Sequence, residues 1–139
     1  MKKKRVVSQA GLLAVSALFL WASPSTANAE GWDNSGGEWR YLDNANNAVS
    51  EAWRKSGDAW YYLGDDGNMV KDSIVTVGDG IYYLDADGVM AANRWVLAKD
   101  IDDNDAWYYF GADGKAYKGR DGRVYTREIN GKRYLFDEE

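Results

Sequence analysis

The 139-residue chain contains no cysteine and no histidine. Those absences exclude a disulfide framework, a thiol nucleophile, a Cys/His zinc site and any triad that turns on imidazole. Basic residues are also scarce where they would matter. Four of the 17 lie in the first five residues, and from Glu30 onward 13 basic side chains face 22 acidic ones, a net charge of −9. So acidic a chain does not suit nucleic acid, whose binding needs a basic surface to release counterions. The only long apolar run is Gly11 to Ala22, 12 residues, too short to cross a hydrocarbon core of about 30 Å. Leu, Ile and Val are sparse beyond it, and the length allows at most one ordinary domain.

The apolar run has a different use. Lys2–Arg5 forms a charged start, Ser23-Pro24-Ser25-Thr26 a polar exit, and Ala27-Asn28-Ala29 a small-x-small site. The pattern predicts a secretory signal peptide over 1–29, cut after Ala29, and a secreted or cell-surface chain beginning at Glu30 with no membrane span.

What is abundant is aromatic. Residues 30–139 hold six Trp, ten Tyr and two Phe, whereas an ordinary small core draws on aliphatics first. The rings are periodic. Trp39-Arg40-Tyr41-Leu42, Trp60-Tyr61-Tyr62-Leu63, Ile81-Tyr82-Tyr83-Leu84 and Trp107-Tyr108-Tyr109-Phe110 align, with 21-residue steps from 39 to 60 to 81, and Arg133-Tyr134-Leu135-Phe136 forms a degenerate fifth copy. Trp32, Trp53, Ile74 and Trp95 make a second series, also 21 apart. Periods of this length signal solenoids or arrays.

Turn chemistry gives the unit its shape. Short Gly-containing loops between Trp, Tyr and Ile segments read as β-hairpins. Placing the turn at Ser56-Gly57 pairs Trp53 with Trp60, and Ser35-Gly36 likewise pairs Trp32 with Trp39; Ile74 is expected opposite Ile81. Asp66-Gly67, Asp87-Gly88 and Asp113-Gly114 close each unit, with Asn46 tolerating the left-handed backbone in the first. Five extra residues fall in the loop Lys99–Asp105, and the linker before Thr126 is longer by about as many. The last unit reads as a cap or a decayed repeat. The expectation is an all-β fold, a β-hairpin solenoid of about five units over 30–139, with no separate catalytic domain.

The run Trp53…Trp60-Tyr61-Tyr62-Leu63…Asp66-Gly67-Asn68-Met69-Val70, and again Gly88-Val89-Met90-Ala91-Ala92-Asn93-Arg94-Trp95-Val96, resembles the choline-binding or cell-wall-binding repeat, a relative of glucan-binding repeats. The resemblance runs from Trp32 to Phe136. It implies hairpins wound about an axis, ligand cages between neighbours and attachment to the bacterial envelope. A quaternary ammonium suits such a cage, because aromatic faces attract the cation and bury its methyl groups. Three boxes are expected: Trp32, Trp39 and Tyr61; Trp53, Trp60 and Tyr82; Trp95, Trp107 and Tyr134. No cage is expected at Ile74 and Ile81, whose aliphatic walls have no ring face.

The second and third rings of each quartet are assigned to packing. Trp faces also stack on sugars, so the rings alone leave choline and glucan open, and a protein–protein adaptor stays a third class. Asp100-x-Asp102-x-Asn104 has the flavour of a calcium loop but lacks the Gly and Glu that an EF-hand needs at its sixth and twelfth positions. No nucleophile elbow, phosphate loop or metal motif is present. The expected function is non-catalytic binding, without cofactor or metal, of a choline-decorated teichoic acid or a glucan.

Overall fold

The computed structural model describes residues 30–100 and 102–138; the signal peptide expected over 1–29 lies outside the described residues. These residues form ten strands and no helix: β1 (Gly31–Asp33), β2 (Arg40–Leu42), β3 (Ala52–Ser56), β4 (Ala59–Leu63), β5 (Ser73–Val77), β6 (Gly80–Leu84), β7 (Arg94–Lys99), β8 (Asp105–Phe110), β9 (Tyr125–Ile129) and β10 (Lys132–Phe136). Consecutive strands pair antiparallel into five separate hairpins.

The register differs from the expected one. Ser56 pairs with Ala59, so the turn residues are Gly57-Asp58 and Trp53 faces Tyr62 rather than Trp60. Gly57 has φ 59, as a type II′ turn requires of its first central residue. Gly78-Asp79 repeats this in the third hairpin, where Gly78 has φ 61. There Ile74 faces Tyr83 and Ile81 faces Thr76, so the two isoleucines do not pair. In the first hairpin Trp32 faces Tyr41 across a six-residue loop, not a two-residue turn; the Asp33 carboxylate accepts from the Ser35 N–H and hydroxyl, and Gly37 N–H closes on the Asn34 carbonyl. In the fourth hairpin Trp95 faces Tyr109, and Trp107 faces Leu97. Sliding a two-residue turn by one position shifts the pairing by two, so every side chain keeps its face while its partner changes.

The hairpins are joined by one recurring turn. Gly67 (φ 76), Gly88 (φ 80) and Gly114 (φ 78) take the left-handed position, as does Asn46 (φ 65) in the first copy. Each donates its N–H three residues back, to Asp43, Gly64, Asp85 or Gly111. The five-residue insertion in the fourth hairpin is the same turn again: Asp103 (φ 63) bonds to the Asp100 carbonyl, and the Asp100 carboxylate accepts the N–H groups of Asp102 and Asn104. The residues with a calcium-loop flavour are thus spent on an aspartate-capped turn.

Two further links make the array continuous. The segment after each hairpin bonds back to the preceding one: Met69 N–H donates to the Trp39 carbonyl at 2.7 Å, Met90 to Trp60 at 2.8 Å and Ala116 to Ile81 at 2.8 Å. The last residues of the second strands form the core column, with Leu63, Leu84 and Phe110 fully buried and Phe136 nearly so. Full burial of a side chain this size is worth about 1.5–3 kcal/mol, and little else is buried in so thin a protein. Hence Tyr61 and Tyr108 serve as core beside Leu63 and Phe110.

The longer linker before the last hairpin is not loose. Arg120 and Arg123 exchange both backbone hydrogen bonds around Asp121 (φ 54) and Gly122 (φ 69), a miniature hairpin with a type I′ turn. Gly119 N–H bonds to the Asp137 carbonyl, fastening the linker to the chain end. Beyond it, Thr126, Glu128, Arg133 and Leu135 are all exposed on one face of the last hairpin.

Candidate aromatic ligand sites

Each first strand offers its second residue, Trp32, Trp53, Ile74 or Trp95, toward the next hairpin. Because side chains alternate along a strand, the ring that meets it is the second residue of that hairpin's quartet. Trp32 lies 5.3 Å from Tyr61 between ring centroids, at 72°. Trp53 lies 4.9 Å from Tyr82 at 65°, and Trp95 lies 4.9 Å from Tyr134 at 57°. At the remaining junction Ile74 packs against the cluster of Ala91, Tyr108 and Phe110, without a ring of its own.

The third wall differs among the sites. In the first, Trp39 stands 6.4 Å from Trp32 and nearly perpendicular, at 83°, so the three expected rings meet around Trp32. In the second, Trp60 is 41% exposed on the same hairpin face as Trp53 but diagonal to it. Its face carries the Lys55 ammonium, 5.9 Å from the ring centroid. In the third, Trp107 is 65% exposed beside the half-exposed Leu97, while Trp95 also stacks on Phe136 at 5.8 Å and 18°. The structure therefore brings Trp95 and Tyr134 together and leaves Trp107 apart from them, out of ring contact among the described residues.

Sequence reasoning missed the cross-strand rings. Tyr41, Tyr62 and Tyr109 sit 5.4, 5.0 and 5.2 Å from Trp32, Trp53 and Trp95 and hold each indole upright. For Tyr62 the signal was available, since a turn with glycine first places it opposite Trp53. Tyr41 is held in turn by the Arg54 guanidinium, 4.8 Å above its ring, and donates its hydroxyl to the Glu30 carboxylate at 3.1 Å. Burial pushes the hydroxyl pKa of Tyr41, Tyr61, Tyr62 and Tyr108 above the usual tyrosine range, so at neutral pH these rings are uncharged walls.

Residues 49–95 match the family model described as a choline-binding repeat, and residues 101–116 match the one described as a putative cell wall binding repeat. The chain carries choline-binding repeats. Among solved structures, these repeats resemble the modular autolysin LytC from Streptococcus pneumoniae, at 25% identity and a TM-score of 0.57, over 81% of this chain and 23% of that one. They also resemble the choline binding domain of Spr1274 from Streptococcus pneumoniae, at 25% identity and a TM-score of 0.51, over 66% of this chain and 99% of that one. The modular Cpl-1 endolysin, crystallised with a peptidoglycan analogue, shares the fold at 24% identity and a TM-score of 0.50, over 78% of this chain and 32% of that one. The repeats thus span about a quarter of LytC and a third of Cpl-1. Comparison with curated protein sequences gives no match. Cell-wall-binding repeats point to a protein that is secreted or attached to the cell surface.

Proposed function

We propose that the chain is an exported, non-catalytic module that holds choline groups of an envelope polymer, such as a choline-decorated teichoic acid, in aromatic cages between hairpins. Export rests on the signal peptide read over 1–29. The observation that carries the cages is the recurring contact of a first-strand tryptophan with the next hairpin's tyrosine, 4.9–5.3 Å apart at three junctions and replaced by Ile74 at the fourth. Trp32, Trp39 and Tyr61 form the best-walled site; Trp53 and Tyr82, with Trp60 diagonal to them, form a second, and Trp95 and Tyr134, without Trp107, a third and more open one. Each cation–π contact is worth about 0.5–2 kcal/mol, so one site is weak. Several on one chain give avidity toward a polymer that repeats its ligand.

The test is a choline titration followed by Trp fluorescence, beside the Trp53→Ala/Trp60→Ala variant. A saturable response that weakens in the variant is expected. No response up to tens of millimolar, with a shift on soluble glucan, turns the same rings into sugar platforms. A response to neither, with a protein captured from envelope extracts, favours the adaptor.

A further inference from the structure

Away from the aromatic junctions, the molecule carries a groove of about 490 Å³ between the Gly78-Asp79 turn and the Arg120–Arg123 miniature hairpin. Lys115, Lys118, Arg120 and Arg123 line it together with Asp79 and Asp113. Residues 30–113 carry six basic and 17 acidic side chains, whereas residues 114–135 carry seven basic side chains against Asp121 and Glu128 alone. Four of those seven basic side chains, Lys115, Lys118, Arg120 and Arg123, line the groove.

Its local chemistry runs against stability. Arg120 and Arg123 sit directly opposite each other across the two-residue turn, and like charges in that position repel. Asp79 offsets part of this, 3.1 Å from the Lys115 ammonium and 3.5 Å from the Arg120 guanidinium. The side chains of Lys118 and Arg123 have no ion pair or hydrogen bond among the described residues. Nothing in the packing calls for two arginines here. A local rule broken with only one carboxylate, Asp79, in partial compensation marks a place shaped by a ligand, and two guanidinium forks with ammonium groups beside them suit a phosphate.

We propose that this groove binds a phosphodiester group of the polymer whose choline groups the cages hold. The proposal rests on the choline reading for its partner, and charge complementarity selects that partner. A polymer bearing both phosphates and quaternary ammonium groups matches a chain that is acidic over residues 30–113 and basic over 114–135. A nucleic acid, anionic along its whole length, is repelled by residues 30–113.

The test uses the purified chain and a choline-free glycerol phosphate oligomer, titrated calorimetrically at 50 and 200 mM salt (both roughly within the range where screening acts). Binding that weakens with salt is expected, with a loss of about tenfold or more in Arg120→Gln/Arg123→Gln and an unchanged choline response. Asp79→Asn frees Lys115 and Arg120 and is expected to tighten oligomer binding several-fold. The proposal is overturned if the oligomer does not bind, if the double variant binds it as well as the parent, or if a DNA oligonucleotide of equal charge binds as tightly. If choline gives no response but oligomer binding is lost in the double variant, the groove assignment stands and only the choline reading fails.

Discussion

The junctions on either side of the third hairpin use one geometry with different residues. Trp53 leans on Tyr82, and one unit later Ile74 fills the equivalent position against the Tyr108 cluster. Both keep the core column continuous, since Leu63, Leu84 and Phe110 are buried to the same degree. Wedging one hairpin against the next therefore does not need a ring. The tryptophan supplies an aromatic face, and only a ligand that uses a face gains by it.

That comparison can be tested from its foundation upward. Leu63→Ala and Leu84→Ala, one on each side, should each cost about 2–5 kcal/mol in urea unfolding. A much smaller cost at one of them would show that the column is interrupted there. Gly88→Ala, between the two junctions, should cost about 1–2 kcal/mol for its left-handed backbone. The added methyl would also lie 2.5 Å from the Met69 sulfur, so the Met69 side chain must shift. Trp53→Ile converts one junction into the other: the thermal midpoint should fall less than in Leu63→Ala, while one choline equivalent disappears from the titration. The reverse change, Ile74→Trp with Ile81→Trp, should add one.

A subtler contrast is electrostatic. Tyr83, the cross-strand partner of Ile74, donates to the Asp72 carboxylate at 2.6 Å, and that bond, with burial, raises its pKa to about 12. A raised folded-state value means the contribution is complete below the ordinary tyrosine pKa of about 10 and is lost as pH rises through the folded one. The midpoint gap between the parent and Tyr83→Phe should hold up to about pH 10 and close toward pH 12. The smallest effect is expected at Lys55, whose ammonium rests on the Trp60 face. Lys55→Gln should strengthen choline binding a few-fold, in line with about 0.5–1 kcal/mol for an exposed cation–π contact.

Much of this was legible in the sequence, because period, face and turn residues are local properties. The 21-residue step placed the hairpins, and strand alternation put Tyr61 and Tyr82 against the preceding tryptophans even though the register was two off. The register itself depended on one turn type, which glycine's place as first or second residue decides. Left-handed backbone at Glu51, Asp72 and Asn93, again 21 apart, has a composition signal at Asp72 and Asn93 but none at Glu51. It arises because each N–H must bond across to Gly64, Asp85 or Gly111, a demand made by the neighbouring turn. The separation of Trp107 from Trp95 was likewise hidden, since it follows from which residues face each other across β7 and β8. The basic groove was diluted by a net charge summed over the whole chain.

The back-bonds from Met69, Met90 and Ala116 also decide how the module bears load. Pulled from one end, the array does not shear all these bonds together; it is peeled, one bond at a time. Each rupture in the first part of the array should release a 21-residue unit, about 70 Å of extended chain, whereas the units from Leu84 to Phe110 and from Phe110 to Phe136, at 26 residues each, should give visibly longer steps. In a force trace the insertion at Lys99–Asp105 and the long linker before Thr126 would thus serve as an internal ruler, telling the last two hairpins from those before them.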